Sequence, residues 1–477
     1  MRMIMGGKKV DSVSGETFDV LEPATGKVID SVPKATKEDI NQAITIAVEA
    51  QKEWKKVPIH ERGEILNRFM DIVDENKESL AQTLSKENGK PITEARAEID
   101  NIRISFSGFV ERAKHYYEEM IPAGTEKGQE KNLQLITREP VGVVACIIPF
   151  NFPCDLFDQK VAPALMMGNS ALVLPSSDNP LTLMRLTEIL NDAGVYPGAV
   201  QCLTAPGSVK GEVAKDDRIG LITLTGSTEV GIETAKIAAE NLIPCALELG
   251  GNDAFVVLED ADIDLAVEEM IWGRMYNTGQ VCCASKRFIV HNSVKDEFAE
   301  KAAKRIQQEN YGKPEDESTT IGCLISETAA KTVESEVDKT VEQGGKIVMG
   351  GKRDGAFYDP TVIKDVPKDA DVSSHMEIFG PVVPVIGFDT DEEAIEIANS
   401  SMFGLSSCVF SQDYKRAWKV ASKLEAGAAV INGASFYRSF EMPFGGWKFS
   451  GIGTEGVMST FDEMTKKKTI VLKNLYE

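Results

Sequence analysis

The chain is poor in the residues that most often announce a site. Among 477 residues there are only eight cysteines and four histidines. No two cysteines stand in Cys-x-x-Cys spacing, and His60, His115, His291 and His375 lie far apart in sequence. A zinc site needs its nitrogen and sulfur donors clustered, so no metal site is expected. So sparse a scatter also excludes a disulfide scaffold, and most of these cysteines read as small buried hydrophobes. Clustered positive charge is missing too. Fifty-two Lys and Arg against 74 Asp and Glu leave a net charge of −22, and the one dense basic run, Lys466-Lys467-Lys468, is short. Binding a phosphate backbone takes clustered cations, so nucleic acid is not an expected partner. The charge promises solubility instead. Long apolar runs are absent: VGVVACIIPF (141–150) falls short of the ~18 residues of a membrane span, and MRMIMGGKKVDS lacks the apolar stretch of a signal peptide. These absences predict a cytoplasmic protein with no membrane partner.

What is present is ordered alternation. Residues 38–55 and 61–86 carry helical spacing, the second through Ile65, Leu66, Phe69, Ile72, Val73, Leu80 and Leu84. ENGKP (87–91) stops that helix with Gly and Pro. Beyond residue 140, short apolar runs (VGVVACII, SALVL, VQCLT, IGLITLT, CALEL) alternate with helical stretches at 158–167, 180–194, 209–215 and 229–240. Such alternation predicts a parallel sheet with crossover helices. A second α/β series runs from FVVL (255–258) to AAVIN (428–432). NLQLITREP (132–140) and KKTIVLKNL (467–475) fit neither series; both read as edge strands, expected to serve as arms for pairing between subunits.

Four short stretches carry candidate chemistry. YNTGQVCCASKRF (276–288) sets Cys282 beside Cys283 after a tight Gly279 turn. A reactive cysteine must be reachable and partly thiolate, and adjacent residues point in different directions, so at most one of the two faces a given cleft. In ALELGG (246–251), Glu248 ends an apolar run before two glycines, a setting that suits a general base as well as an ordinary Glu. In IIPFNFP (147–153), Asn151 stands at a strand-to-loop corner, either as a turn residue or as an oxyanion donor. In LTGSTEVG (224–231), a strand gives way to a helix whose first amides can attract phosphate. Each stretch alone is a weak signal.

Together, and in order, they resemble the aldehyde dehydrogenase superfamily over essentially the whole chain. The matching series is ENGKP, PFNFP, Gly168-Asn169, LTGSTEVG, LELGG, NTGQVC, EIFGPV (377–382) and MPFGGWKFSG (442–451). The resemblance implies an α/β fold: a Rossmann-type cofactor domain (1–117 and 139–250), an α/β catalytic domain (251–435) and a β oligomerisation arm (118–138 and 456–477) that makes a homodimer or homotetramer. It implies that Cys282, the second residue after Gln280, is the nucleophile toward a small-molecule aldehyde, with Asn151 and the Cys282 amide holding the oxyanion and Glu248 activating water. NAD or NADP would be contacted by Ile148, Pro149, Phe150, Ser176, Ser177, Gly207, Gly226, Ser227, Gly231 and Leu249, with Glu377 at the nicotinamide ribose and Phe379 against the nicotinamide side.

The chain departs from the family pattern in GNSALVLPSSDNP (168–180). Leu174 stands where a Lys contacts the adenosine ribose or a 2′-phosphate, and Ser177 where a Glu favours the free 2′-hydroxyl of NAD. One loss favours NADP and the other disfavours it, so the sequence leaves the cofactor open. The segment NGASFYRSFEMPFGG (432–446), which by resemblance lines the aldehyde tunnel, contains Arg438, either a clamp for an anionic or hydroxylated aldehyde or a surface salt-bridge or subunit-contact residue. Arg103 is a second candidate cation, or a solvated helix residue. Phe152 and Phe157 are expected as tunnel walls. The look is of the branch holding lactaldehyde, semialdehyde and sulfolactaldehyde dehydrogenases. Two other readings are a CoA-acylating semialdehyde dehydrogenase and a catalytically silent structural member of the fold. The first tends to lack the Glu base and the second should have lost part of the Cys–Glu–Asn set, yet all three residues are here.

Overall fold

The alternating pattern folds into two mainly parallel sheets in the computed structural model, which describes residues 1–476. In the first sheet the strands lie in the order Val200–Cys202, Ser170–Leu174, Val143–Ile147, Ile219–Thr225, Cys245–Glu248, all parallel. The chain winds outward from Val143–Ile147 in one direction, then returns and continues on that strand's other side. Ligands in such sheets bind beyond the C-terminal strand ends where the winding reverses, here between Ile147 and Thr225. Val144, Ala145, Leu172 and Val173 are completely buried, because helices cover both faces of a parallel sheet. Met3–Met5 joins one edge and Gly451–Ile452 the other, both antiparallel.

The second sheet runs Lys346–Met349, Thr361–Val366, Val382–Phe388, Ser285–His291, Asp253–Val257, Ser407–Phe410, Val430–Ile431. All neighbours are parallel except the first pair. Phe255, Phe288, Phe298 and Phe410 fill one of its cores. Only Leu249–Asn252 separate the C-terminal end of Cys245–Glu248 from the N-terminal end of Asp253–Val257. The C-terminal edge of one sheet therefore abuts the N-terminal edge of the other.

The helix expected over 38–55 spans Lys37–Trp54 and opens with a reciprocal Thr36–Asp39 capping box. The single helix expected over 61–86 is two, Ile59–Glu75 and Lys77–Asn88. Asn76 breaks it: its side-chain amide turns back to donate to the Ile72 carbonyl, and its backbone leaves helical geometry. Gly89 ends the second helix at φ +88°, in the left-handed region that glycine enters without strain.

The two arm candidates find each other within the chain. Thr465–Leu472 pairs antiparallel with Leu133–Pro140 along its whole length, from Thr465↔Pro140 to Leu472↔Leu133, and Glu119–Ile121 adds the third strand. The outer edge of Thr465–Leu472 stays open, with Ile470, Val471 and Leu472 exposed. Among the described residues, no helix is long and apolar enough to cross a membrane.

Candidate active site

Three strand ends of the first sheet deliver side chains to the seam. The loop after Val143–Ile147 carries Asn151, and it is held hard. The Phe150 carbonyl accepts from Asn88 Nδ2 at 2.6 Å and Asn179 Nδ2 at 2.7 Å. The Asn151 carbonyl accepts from Lys90 Nζ at 2.9 Å and Asn277 Nδ2 at 2.8 Å. Lys90 is fully buried and paired with Glu98, whose other oxygen accepts from Cys154 N at 2.8 Å. Glu87 caps the helix Leu181–Asp192 through the Leu181 and Thr182 amides, although burial pushes its pKa up to about 7. ENGKP, read from sequence as a helix stop, thus uses three of its side chains to fix the loop of Asn151 and the helix beside it.

Ile219–Thr225 leads through Gly226 to the helix Thr228–Ala239, capped by the Ser227 hydroxyl, which accepts from Val230 N at 3.4 Å. Ser227 is exposed, so the helix N-terminus faces open space. A Cβ on Gly231 would come within 2.4 Å of Leu249, so the glycine lets helix and strand end close up. A Cβ on Gly207 would meet nothing within 4 Å, which leaves the adjoining edge open.

Glu248 ends the third strand. It is buried, and neither carboxylate oxygen receives a hydrogen bond from the described residues. Burial, reinforced by the nearby Glu455 carboxylate, holds its pKa well above the ordinary value. Glu455 is the reverse case. Burial raises it, but Lys160 and Arg438 outweigh burial and bring it down to about 2. Lys160 Nζ lies 2.9 Å from Glu455 Oε1 and donates to Thr223 Oγ1 at 3.1 Å; Arg438 Nη2 lies 2.8 Å from Glu455 Oε2. The Arg438 guanidinium also sits 4.1 Å above the Phe444 ring.

From the second sheet, Cys282 and Cys283 precede Ser285–His291. Cys282 is half-buried and Cys283 buried. The Cys283 thiol, directed at the Cys282 sulfur, lowers the Cys282 pKa; burial opposes this, and Lys286 and Arg438 assist it. Cys283 itself is raised, since its proton is held against the Cys282 sulfur. The turn before them is tight. Asn277 and Thr278 have positive φ, the Asn277 amide donates to Glu94 Oε2 at 2.9 Å, and a Cβ on Gly279 would strike the Gly380 carbonyl at 2.3 Å. Lys286 is buried and donates to the Val281 and Cys282 carbonyls, with Glu377 Oε1 3.2 Å away. Glu377 also accepts from Gly251 N at 3.2 Å. The glycines of LELGG make this approach possible: a Cβ on Gly250 would lie 2.4 Å from Glu377 Oε2, and one on Gly251 2.7 Å from the Cys282 carbonyl. Phe379 meets Phe150 edge-on at 6.0 Å between ring centres; Ile148 and Leu249 are buried.

The substrate-side expectations divide. Arg438 comes close enough to Glu248 and both cysteines to shift their pKa values. Phe152, next to Asn151 in the chain, stacks on Tyr276 at 6.0 Å between ring centres and meets Phe436 at a tilt at 6.1 Å. Two expectations are corrected. Arg103 is spent on the helix surface, with Nε 2.6 Å from Asp74 and Nη2 2.8 Å from Asp71. Phe157 is completely buried and stacks on Phe106 at 6.4 Å, which makes it a core residue and not a tunnel wall.

Sequence reading missed Lys90, Glu98, Lys160, Asn277, Lys286 and Glu455. A signal existed in some of them: Lys160 runs directly into the apolar stretch Val161–Met166, and Lys286 stands two residues before the apolar Phe288–Val290, both in buried elements. Charges in such places are buried only when paired.

Comparison with known proteins identifies the family. The model of the aldehyde dehydrogenase family matches residues 9–470. A lactaldehyde dehydrogenase of Methanocaldococcus jannaschii is 38% identical, over 98% of this chain and 100% of its own. The mitochondrial succinate-semialdehyde dehydrogenase of Arabidopsis thaliana is 37% identical over 99% of this chain and 89% of its own. A crystal structure of betaine aldehyde dehydrogenase from Staphylococcus aureus in complex with NAD+ superimposes with a TM-score of 0.95 at 35% identity, covering all of this chain and 95% of that one. The chain belongs to the aldehyde dehydrogenase family, and its reaction is the NAD(P)-dependent oxidation of an aldehyde to a carboxylic acid.

Proposed function

We propose that this enzyme oxidises a small hydroxylated or anionic aldehyde through a covalent adduct on Cys282. The Cys282 thiolate, favoured by the Cys283 thiol, Lys286 and Arg438, adds to the aldehyde carbon. A carbon–sulfur bond forms and the carbonyl electron pair moves onto oxygen. The Asn151 side-chain N–H and the Cys282 backbone N–H take up that charge, Asn151 from a loop already locked in place. NAD(P), when bound, would supply the two-electron acceptor needed to oxidise the thiohemiacetal to the thioester.

The residues present fit that cofactor. The open N-terminus at Ser227 and Thr228 suits a diphosphate, and Gly207, Gly226 and Gly231 keep the approach clear or the walls close. Glu377, oriented by Lys286 and the Gly251 N–H, is free to accept from ribose hydroxyls. Phe150 and Phe379, in edge-on contact, would line the nicotinamide side, with Pro149 next to Phe150 in the chain and Ile148 and Leu249 buried. Glu248, whose raised pKa makes it a strong enough base, takes a proton from water as the water oxygen adds to the thioester carbon. The carbon–sulfur bond breaks and the acid leaves. The presence of this base favours free acid over acyl-CoA as product.

Arg438 carries the substrate assignment. In the chain Lys160–Glu455–Arg438, two cations share one carboxylate held ionised at about 2. One positive charge is thus left over beside Cys282, where it suits an oxygen-rich or anionic aldehyde. The named substrates of the two relatives, lactaldehyde and succinate semialdehyde, are of that kind. The test follows reduced nicotinamide with glycolaldehyde, lactaldehyde, succinic semialdehyde, sulfolactaldehyde and a long aliphatic aldehyde. Preference for the first four is expected. Arg438→Met should lower their kcat/KM about 10- to 100-fold, the worth of one charge-assisted hydrogen bond of roughly 1.5–3 kcal/mol. Preference for the long aldehyde would overturn the assignment. The first-sheet, second-sheet and arm segments (1–117 with 139–250, 251–435, and 118–138 with 456–477) serve as cofactor, catalytic and oligomerisation domains in this reading. The open edge of Thr465–Leu472 then pairs with a second copy in a cytoplasmic homodimer or homotetramer.

A further inference from the structure

The mechanism leaves two polar side chains of the helix Pro153–Met166 without a task. Asp155 and Gln159 stand four residues apart, so both project from one face of this helix, which starts two residues after Asn151. Gln159 is only 5% exposed, yet its side-chain oxygen meets no donor among the described residues. An amide oxygen buried without a donor is costly unless a ligand or water supplies one. Asp155 is half-buried. Burial and the nearby Glu98 raise its pKa to about 7, against the pull of Lys90, Asn101 and Arg438.

Around this face runs the rim of the recess that holds Cys282. Tyr276, Phe436 and Phe440 are half-buried, as Cys282 is, and all four pack against the same apolar core as Phe152. Trp272 extends the aromatic wall, 5.0 Å from Phe436 between ring centres. Burial, then Glu94, Glu98 and Asp155, raise the Tyr276 phenol, which sets Asp155 beside that wall. Arg438 follows Phe436 by two residues and spends one hydrogen bond on Glu455, so further guanidinium donors remain. The rim thus offers donors from Arg438 and acceptors from Asp155 and the open Gln159 oxygen. A hydroxyl both donates and accepts, whereas an ionised carboxylate only accepts. A carboxylate on the substrate would have no proton for either acceptor and would lie beside Asp155, which takes up part of the Arg438 charge.

We infer that Asp155 and Gln159 set the substrate class: they accept hydrogen bonds from the hydroxyls of a neutral hydroxylated aldehyde and disfavour aldehydes that carry a carboxylate. The inference rests on the reading of Arg438 as the substrate-side cation and narrows it. Steady-state kcat/KM for glyceraldehyde, glycolaldehyde and succinic semialdehyde tests it, in the wild type, Asp155→Leu, Asp155→Asn and Gln159→Leu. The wild type should use glyceraldehyde about tenfold better than succinic semialdehyde, or more. Asp155→Leu should lower kcat/KM for glyceraldehyde about tenfold, through KM and not kcat, and raise it for succinic semialdehyde. Asp155→Asn, which keeps an acceptor and loses the charge, should hold most of the glyceraldehyde affinity and still gain on succinic semialdehyde. Gln159→Leu should act on glyceraldehyde more than on glycolaldehyde, which has one hydroxyl fewer. A wild type that prefers succinic semialdehyde, or Asp155 variants that lower all three aldehydes in proportion, would overturn the inference and leave the Arg438 assignment standing. A wild type that prefers a long aliphatic aldehyde to all three would overturn both.

Discussion

Asn151 and Glu248 follow strands of one sheet and face one seam, yet the protein treats them in opposite ways. The Asn151 backbone is gripped by Lys90 and Asn277, and its neighbour Phe150 by Asn88 and Asn179. Glu248 receives no hydrogen bond from the described residues on either oxygen. The difference is what their proposed roles require. An oxyanion donor works by standing in place before charge develops, so rigidity is its function. A general base works by accepting a proton, and each hydrogen bond to its charged form would weaken it. Burial without partners raises the Glu248 pKa; burial with partners fixes Asn151.

The contrast can be broken from either side. The largest effect should come from the group both residues serve: Cys282→Ser should cost roughly 10³-fold or more in kcat, while Cys283→Ser keeps most of it. Steady-state reduced-nicotinamide assays decide this, and the reverse result would exchange the roles of the two cysteines. On the Glu248 side, Glu248→Gln should slow acid release by about 10²–10⁴-fold while a first turnover still occurs. On the rigid side, Asn151→Ala should cost about 10²–10³-fold and slow that first turnover itself.

The pH dependence sharpens the same comparison. Glu248 acts as a base only when deprotonated, and its pKa is raised. The steady-state rate should therefore climb with pH through a range well above the ordinary carboxylate value of 4.5. Glu248→Gln should lose that limb, whereas Asn151→Ala should keep it. The smallest catalytic effect but a clear stability effect belongs to Lys90→Met. It leaves Glu98 buried without its cation, at a cost of about 3–5 kcal/mol that urea unfolding would register.

Part of this was legible in the sequence. The alternation of apolar runs with helices fixes the parallel sheet, because buried parallel strands must be apolar on both faces. The order of PFNFP, LTGSTEVG, LELGG and NTGQVC carries the family resemblance, which the family match bears out. What stayed hidden depends on tertiary packing. Nothing in the spacing of Lys90, Lys160 or Glu455 says which charge each meets across 295 residues in the case of Lys160 and Glu455. The same holds for Arg103 and Phe157, whose residue types suit a tunnel but whose helix faces turn to surface carboxylates and to the core. The break at Asn76 escaped because apolar periodicity continues across it.

If acylation belongs to Cys282 with Asn151 and deacylation to Glu248, loss of Glu248 should strand the acyl group on the enzyme. Rapid mixing of the Glu248→Gln variant with aldehyde and NAD(P), followed by peptide mass analysis, tests it most directly. The account predicts a burst of one reduced nicotinamide per subunit, followed by slow turnover, with the acyl group on the peptide sulfur of Cys282. An acyl group on Cys283, or no burst at all, would contradict it.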